Sequence, residues 1–382
     1  MKRITTIFIA FIALSLSVSG QSKLRVFGHL TQGFAISDDH QIFGIPTDGT
    51  SDYRNLALQF RFDVNETNNF VVQLAHKRLG KNPTMLVNQD LELDWGFFEH
   101  HFSPAFSIKF GKVQMPLGIM NELRDVSVLL PFYRAPTSVY SESRASSEAV
   151  NGIVLSYTHQ LGKNWSVRSD VFAGQWSWLE WYKLQSLLTN EVTLVVDEAD
   201  IERAFGYQGW LFTPIDGLRF GFSGYYGILT RGLSFVQLAN LQEPSITSYL
   251  ASIEGDFERF TIRAEDNIIS VVNSPFYMNS YYIQGGLSLV GDLSMNLQYE
   301  TIKFHQFYVP FDMGNLIGGT YIDKKFHQDF GVALNYAFSA NLVIKVEAHT
   351  TEGFLVEDQY INPYIQSQLK TRYAILSLAS SF

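Results

Sequence analysis

The chain alternates. In "LRVFGHLTQGFAI" (24–36), Leu24, Val26, Leu30, Phe34 and Ile36 share one face with Gly28 and Gln32, opposite Arg25, His29 and Thr31. In "YRNLALQFRFDV" (53–64), Leu56, Leu58, Phe60, Phe62 and Val64 oppose Asn55, Gln59, Arg61 and Asp63. The same two-residue period runs through "DLSMNLQYE" (292–300), "FHQDFGVALNYAF" (326–338) and "NLVIKVEAH" (341–349). Successive strand residues point to opposite sides, so each segment predicts a β-strand with one apolar and one polar face. An antiparallel sheet on a soluble core gives the same signal.

The connections separate the two cases. Short ones fall at 65–69, 103–105, 161–164, 213–217, 257–259, 291–292 and 339–341. Between them lie longer stretches at 37–52, 80–90, 112–149, 175–200, 231–247, 271–279, 305–325 and 352–369. Short turns at one end and long loops at the other are the layout of a transmembrane antiparallel β-barrel, here of about 16 strands. A lipid-embedded chain without spanning helices must close its sheet, because hydrocarbon offers the backbone no partner.

Composition agrees. The chain is 15% aromatic, and Phe102, Phe106, Trp165, Trp210, Phe212, Phe220, Phe260 and Phe338 gather near expected strand ends, where a membrane interface holds amphipathic rings. Lys2 and Arg3, the apolar run "IFIAFIALSLSV" and the small residues "SVSG" read as a signal peptide over 1–20, leaving the barrel at 21–382 and an exported, Gram-negative outer-membrane location. Removing residues 1–20 moves the net charge from −9 to about −11, which argues against a nucleic-acid partner. With no Cys there is no disulfide, thiolate chemistry or Cys-ligated metal.

Several short motifs dissolve in context. "DEAD" (197–200) has no accompanying phosphate-binding loop and falls in an expected acidic loop. "DFG" (329–331) lies inside an alternating strand with no glycine-rich loop elsewhere. In "EHH" (99–101), the adjacent His100 and His101 point to opposite faces and cannot chelate one ion together. Ser223 in "GFSGYYG" sits on a strand and lacks the spacing of a nucleophile elbow. No catalytic set, metal site or cofactor is expected from these residues.

One segment resists the alternation. "MPLGIMNELRDVSVLLPFYRAP" (115–136) is apolar, without period, and broken by Pro116, Gly118, Pro131 and Pro136. An exposed loop of this kind is a liability, so a surface must cover it. A sixteen-stranded exported barrel resembles the bacterial porins, and "FSIKFGKVQMPLG" (106–118) resembles the strand-then-loop passage of the phosphate-selective group and its relatives. The resemblance covers the mature chain in layout and residues 106–145 in detail. It implies that the third long loop, 112–149, folds into the lumen as a constriction and that the protein is a homotrimer. Leu117, Ile119, Met120, Val128, Leu129, Leu130 and Phe132 are then expected on the inner wall. Lys112, Glu122, Arg124, Asp125, Arg134, Glu142 and Arg144 are expected at the constriction, facing Arg61, Asp63, Arg263, Glu265, Lys345 and Glu347 as solvated wall charges.

The expected function is passive diffusion of small hydrophilic solutes or ions, with outer-membrane lipids and lipopolysaccharide around the barrel. The terminal "RYAILSLASSF" resembles the signal read by the barrel-assembly machinery through Phe382, with Ser380 a departure from the usual apolar residue. Cations and anions balance along the loop, which predicts weak ion selectivity. The rival readings are a barrel-embedded lipase- or protease-type enzyme, with Ser, His and an acid near one rim, and an adhesin-like barrel acting through its outer loops.

Overall fold

The computed structural model describes residues 23–82, 91–141, 148–185, 191–232, 244–309, 320–354, 357, 360–361 and 369–382. The expected leader at 1–20, Glu142 and Arg144 lie outside the described residues. Sixteen strands build the wall. They are β1 (Lys23–Ser37), β2 (Thr50–Asp63), β3 (Asn68–Leu79), β4 (Glu92–Ser103), β5 (Phe106–Gln114) and β6 (Ala149–Leu161). Then come β7 (Trp165–Gln185), β8 (Val192–Phe212), β9 (Leu218–Arg231), β10 (Ser245–Asp256) and β11 (Phe260–Val271). The last are β12 (Tyr277–Ser288), β13 (Leu293–Val309), β14 (Thr320–Ser339), β15 (Leu342–Gly353) and β17 (Leu369–Ser381). The two-residue β16 (Tyr360–Ile361) stands outside the wall and pairs in parallel with β7.

Each wall strand pairs antiparallel with its neighbours, and β1 also pairs with β17 from His29↔Ser381 to Ser37↔Tyr373, so the sheet closes. Closure leaves no open edge and satisfies the backbone within the sheet. The seam ends on two 3.0 Å bonds between the backbones of Gly28 and Phe382. A Cβ on Gly28 would lie 2.5 Å from the far end of the Phe382 ring, so a larger residue there would make that exposed side chain turn aside.

The wall is apolar outside and polar inside. On β14, Phe330, Leu334 and Tyr336 are exposed, whereas Asp329, Ala333 and Asn335 are buried. In a water-soluble sheet this arrangement would be inverted; in a barrel it is the lipid-facing pattern. Phe102, Trp165, Phe220, Phe260 and Phe338 project outward as expected, but Trp210 is buried on the inner face. The strands are longer than expected at one place. Most of 175–200 is not loop but the continuation of β7 and β8, and the "DEAD" residues Asp197–Asp200 pair along β8 with Ser177–Glu180 of β7.

Candidate functional site

Residues 115–141 contain a short 3₁₀ turn at Ser127–Leu129 and a single helical turn, α1 (Thr137–Tyr140), but no strand. Most of their peptide groups therefore need partners from elsewhere. The polar face of the wall supplies many. Glu265 on β11, Glu300 on β13 and Glu347 on β15 accept the backbone N–H groups of Ile119, Ser138 and Tyr133, each at 2.8 Å. Lys345 on β15 does the converse, donating from Nζ to the carbonyls of Ser127, Leu130 (2.6 Å) and Phe132 (3.1 Å).

Further bonds come from other strands. The Ser223 Oγ on β9 accepts the Gly118 N–H at 3.1 Å, and Gln208 on β8 donates to the Gly118 carbonyl at 2.8 Å. Asn335 on β14 donates to the Pro131 carbonyl at 2.9 Å, and Asn55 on β2 donates to Asp125 at 3.1 Å. One segment thus bonds to seven wall strands. Gly118 adopts φ +64°, and a Cβ there would meet Tyr140 at 2.3 Å and Glu265 at 2.6 Å, so glycine permits the close approach.

Leu117, Ile119, Met120, Leu130 and Phe132 are buried as expected, while Leu129 stays exposed. Burying each such side chain contributes about 1.5–3 kcal/mol, so apolar packing and charge-assisted bonds together can hold a segment that forms no sheet. Tyr140 donates to Glu265 and accepts the Met120 N–H at 3.0 Å. Burial, and then the Glu265 carboxylate, push the Tyr140 phenol well above its ordinary pKa, so it remains a donor. Burial does the same to Tyr133.

The charged residues expected at a constriction are mostly paired. Arg124 binds Glu148 through Nε at 2.7 Å, and Arg134 binds Glu357 at 2.6 Å with its guanidinium 4.9 Å from the Phe43 ring centre. Asp125 is buried and holds Lys77 at 3.0 Å. Glu122 is half-buried, 4.0 Å from Arg168. Lys112 lies two residues along β5 from the exposed Phe110, on the same outward face, and donates to the Leu93 carbonyl at 2.8 Å.

Of the wall charges, Arg61 pairs with Asp63 at 2.9 Å and Arg263 with Glu254 at 2.8 Å. Glu265, Lys345 and Glu347 are buried and hold the segment; they are not the solvated charges expected from the sequence. Two small cavities of about 20 Å³ each meet at Arg134 and Ala135, one reaching Phe43 and His349, the other Lys77 and Arg124.

Sequence reasoning missed a buried polar cluster on β13–β15. The His349 Nδ1 and an Asp329 carboxylate oxygen are 2.8 Å apart, the His349 ring stacks on Tyr373 at 4.4 Å, and His327 lies 3.5 Å from Glu300. The "DFG" aspartate is Asp329, an inner-face partner of histidine. Its sequence signal was the set of polar residues on one face of β14 and β15: His327, Asp329, Asn335, Lys345, Glu347, His349 and Thr351. The carboxylates of Asp94, Asp125 and Glu148 also converge within 4.8 Å of one another, with Lys77 contacting Asp125 and Glu148 as counter-charge.

No family model matches the chain, and no curated protein matches it in sequence. Solved structures do. The outer membrane channel DcaP of Acinetobacter baumannii superposes with a TM-score of 0.59 at 10% identity, covering 96% of this chain and 99% of its own. The anion-selective porin from Comamonas acidovorans gives 0.57 at 10% identity, covering 95% and 100%. OmpF of Salmonella typhi, in complex with daunomycin, gives 0.56 at 12% identity, covering 94% and 98%. The chain shares the fold of these outer-membrane barrels over nearly its whole length.

Proposed function

We propose that this chain is a passive diffusion channel of a Gram-negative outer membrane, exported by a cleaved leader over residues 1–20. Small hydrophilic solutes cross it through the barrel interior, and residues 115–141 narrow the path. The observation that carries this reading is the reach of that segment. Its bonds to polar-face side chains of seven strands around the wall are what a loop crossing the interior would make. The path then passes Arg124, Asp125 and Arg134, whose charges are largely compensated by Glu148, Lys77 and Glu357. Arg61, Asp63 and Arg263 line the wall below the segment, whereas Lys112, facing outward, drops out.

The channel works as a homotrimer in this reading, with lipid and lipopolysaccharide around its apolar exterior and Phe382 read by the assembly machinery. OmpT of Vibrio cholerae, folded in vitro and described in a trimer form, has the same fold at a TM-score of 0.51 and 10% identity, over 95% of this chain and 100% of its own. The enzyme reading would need a serine free to react, and the Ser223 Oγ is buried and engaged by Gly118. Purified protein in liposomes tests the channel. Small neutral sugars should swell the vesicles and large oligosaccharides should not. Vesicles that swell with neither would overturn the reading.

A further inference from the structure

Arg134 and Glu357 are 223 residues apart and meet at the long-loop end of the barrel. Glu357 lies between β15 and β17, in the last long connection, and its side chain is fully buried. Both of its carboxylate oxygens have donors. The Arg134 Nη2 binds one at 2.6 Å, and the Asn82 Nδ2, just past the end of β3, binds the other at 3.0 Å. The Glu357 backbone carbonyl accepts the Trp181 Nε1 of β7 at 2.7 Å. Just beyond, Tyr360 and Ile361 pair with Lys183 and Leu184 of the same strand. Glu357 adopts φ +66°, a conformation that a residue with a Cβ keeps only where its surroundings hold it.

The arginine is held as firmly. Its guanidinium lies 4.9 Å from the ring centre of Phe43, which comes from the first long connection, and its side chain is only 15% exposed. Phe43 is itself fixed, edge-on to Tyr373 at 5.6 Å and to His327 at 5.9 Å, with its carbonyl bonded by the Tyr53 hydroxyl at 3.3 Å. The residue before Arg134 is held differently. Tyr133 gives its backbone N–H to Glu347 of the wall. Adjacent residues of one segment are thus gripped twice, one by its backbone to the wall and one by its side chain to the last long connection. A buried ion pair is sensitive to the loss of either member, because the charge left behind has no partner and too little water.

We propose that Glu357 is a positioning residue for solute passage: it keeps the Arg134 charge neutralised and away from the solute, so that the last long connection, as well as the wall, sets the width and charge of the constriction. The inference rests on the channel reading. Without the carboxylate, the guanidinium gains by turning toward water, and the water available to it is that of the lumen. Such a turn pulls on Tyr133 and Ala135, loosens the docked segment, and adds a positive charge where a low-dielectric wall focuses its field.

Reversal potentials in a potassium chloride gradient at low salt test it. Glu357→Gln should raise the chloride-to-potassium ratio about two-fold or more and add current steps that the parent channel lacks. Combining it with Arg134→Met should return the ratio to the parent value, and Glu357→Asp, which keeps the charge, should stay near it. Arg134→Lys keeps the cation without its planar fork and should reproduce the loosening in smaller measure, so the test does not hang on one variant. A ratio unmoved in Glu357→Gln, or one that stays raised when Arg134 is replaced as well, would overturn the proposal. Limited proteolysis of the detergent-solubilised barrel reads the contact without conduction. Chymotrypsin should cut within residues 115–141 about five-fold faster in Glu357→Gln than in the parent. Equal rates would overturn the coupling. A barrel that opens no pore fails the channel reading, and the proteolysis comparison then decides by itself whether Glu357 holds the segment.

Discussion

Lys345 and Glu347, two residues apart on β15, hold the same segment by opposite ends of its peptide groups. Glu347 accepts the Tyr133 N–H at 2.8 Å, and Lys345 donates to the carbonyls of Leu130 at 2.6 Å and Phe132 at 3.1 Å. Side chains at i and i+2 of a strand share a face, so one short piece of wall presents both a donor and an acceptor. Lys345→Met should leave three carbonyls short of a partner and cost on the order of 2–4 kcal/mol in segment docking. The wall ladder is independent of those bonds. Limited proteolysis should therefore cut within 115–148 while the barrel keeps its heat-modifiable mobility on a gel.

Wall polarity gives a second prediction. Leu334 faces outward and Asn335 inward, where Asn335 donates to Pro131. Leu334→Arg should cost about 2–4 kcal/mol if the residue lies near the bilayer midplane. Asn335→Ala should lose one hydrogen bond, about 1 kcal/mol, and loosen the segment without harming insertion. Folding titrations of both variants into lipid vesicles would show the difference, and equal effects would mean that the two faces have been misassigned.

The seam supplies a third. Gly28→Ala places a methyl group 2.5 Å from the Phe382 ring, so that ring must turn away from the place where the sheet closes. Gly285→Ala meets nothing within 4 Å and serves as the matched control. Thermal unfolding followed by gel mobility should show a lower transition for Gly28→Ala and no change for Gly285→Ala beyond about 0.5 kcal/mol.

The barrel was legible because lipid imposes a period of two on every crossing, as in Phe330, Val332, Leu334 and Tyr336. The pattern failed where the rule stops applying. In "GQWSWLEWY" (174–182), Trp176 and Trp178 are buried on the inner face of β7 while Gln175 and Ser177 are exposed, the reverse of the wall below. That polarity suits a strand with water outside it, so the extension of β7 and β8 read as loop. The anchoring partners were hidden for another reason. Ile119 and Glu265 are 146 residues apart, and Tyr133 and Glu347 are 214 apart, so nothing local marks them as a pair. Lys112 was misjudged because it directly precedes the loop, although the face it shares with Phe110 points outward.

In the proposed channel, residues 115–141 cross and narrow the barrel interior. Replacing 121–135 by a short glycine linker and recording single-channel conductance tests it most directly. The wall strands keep their own hydrogen bonds, so the barrel should still form, conductance should rise, and larger neutral sugars should pass. A folded barrel whose conductance and sugar cutoff match the parent protein would contradict the account.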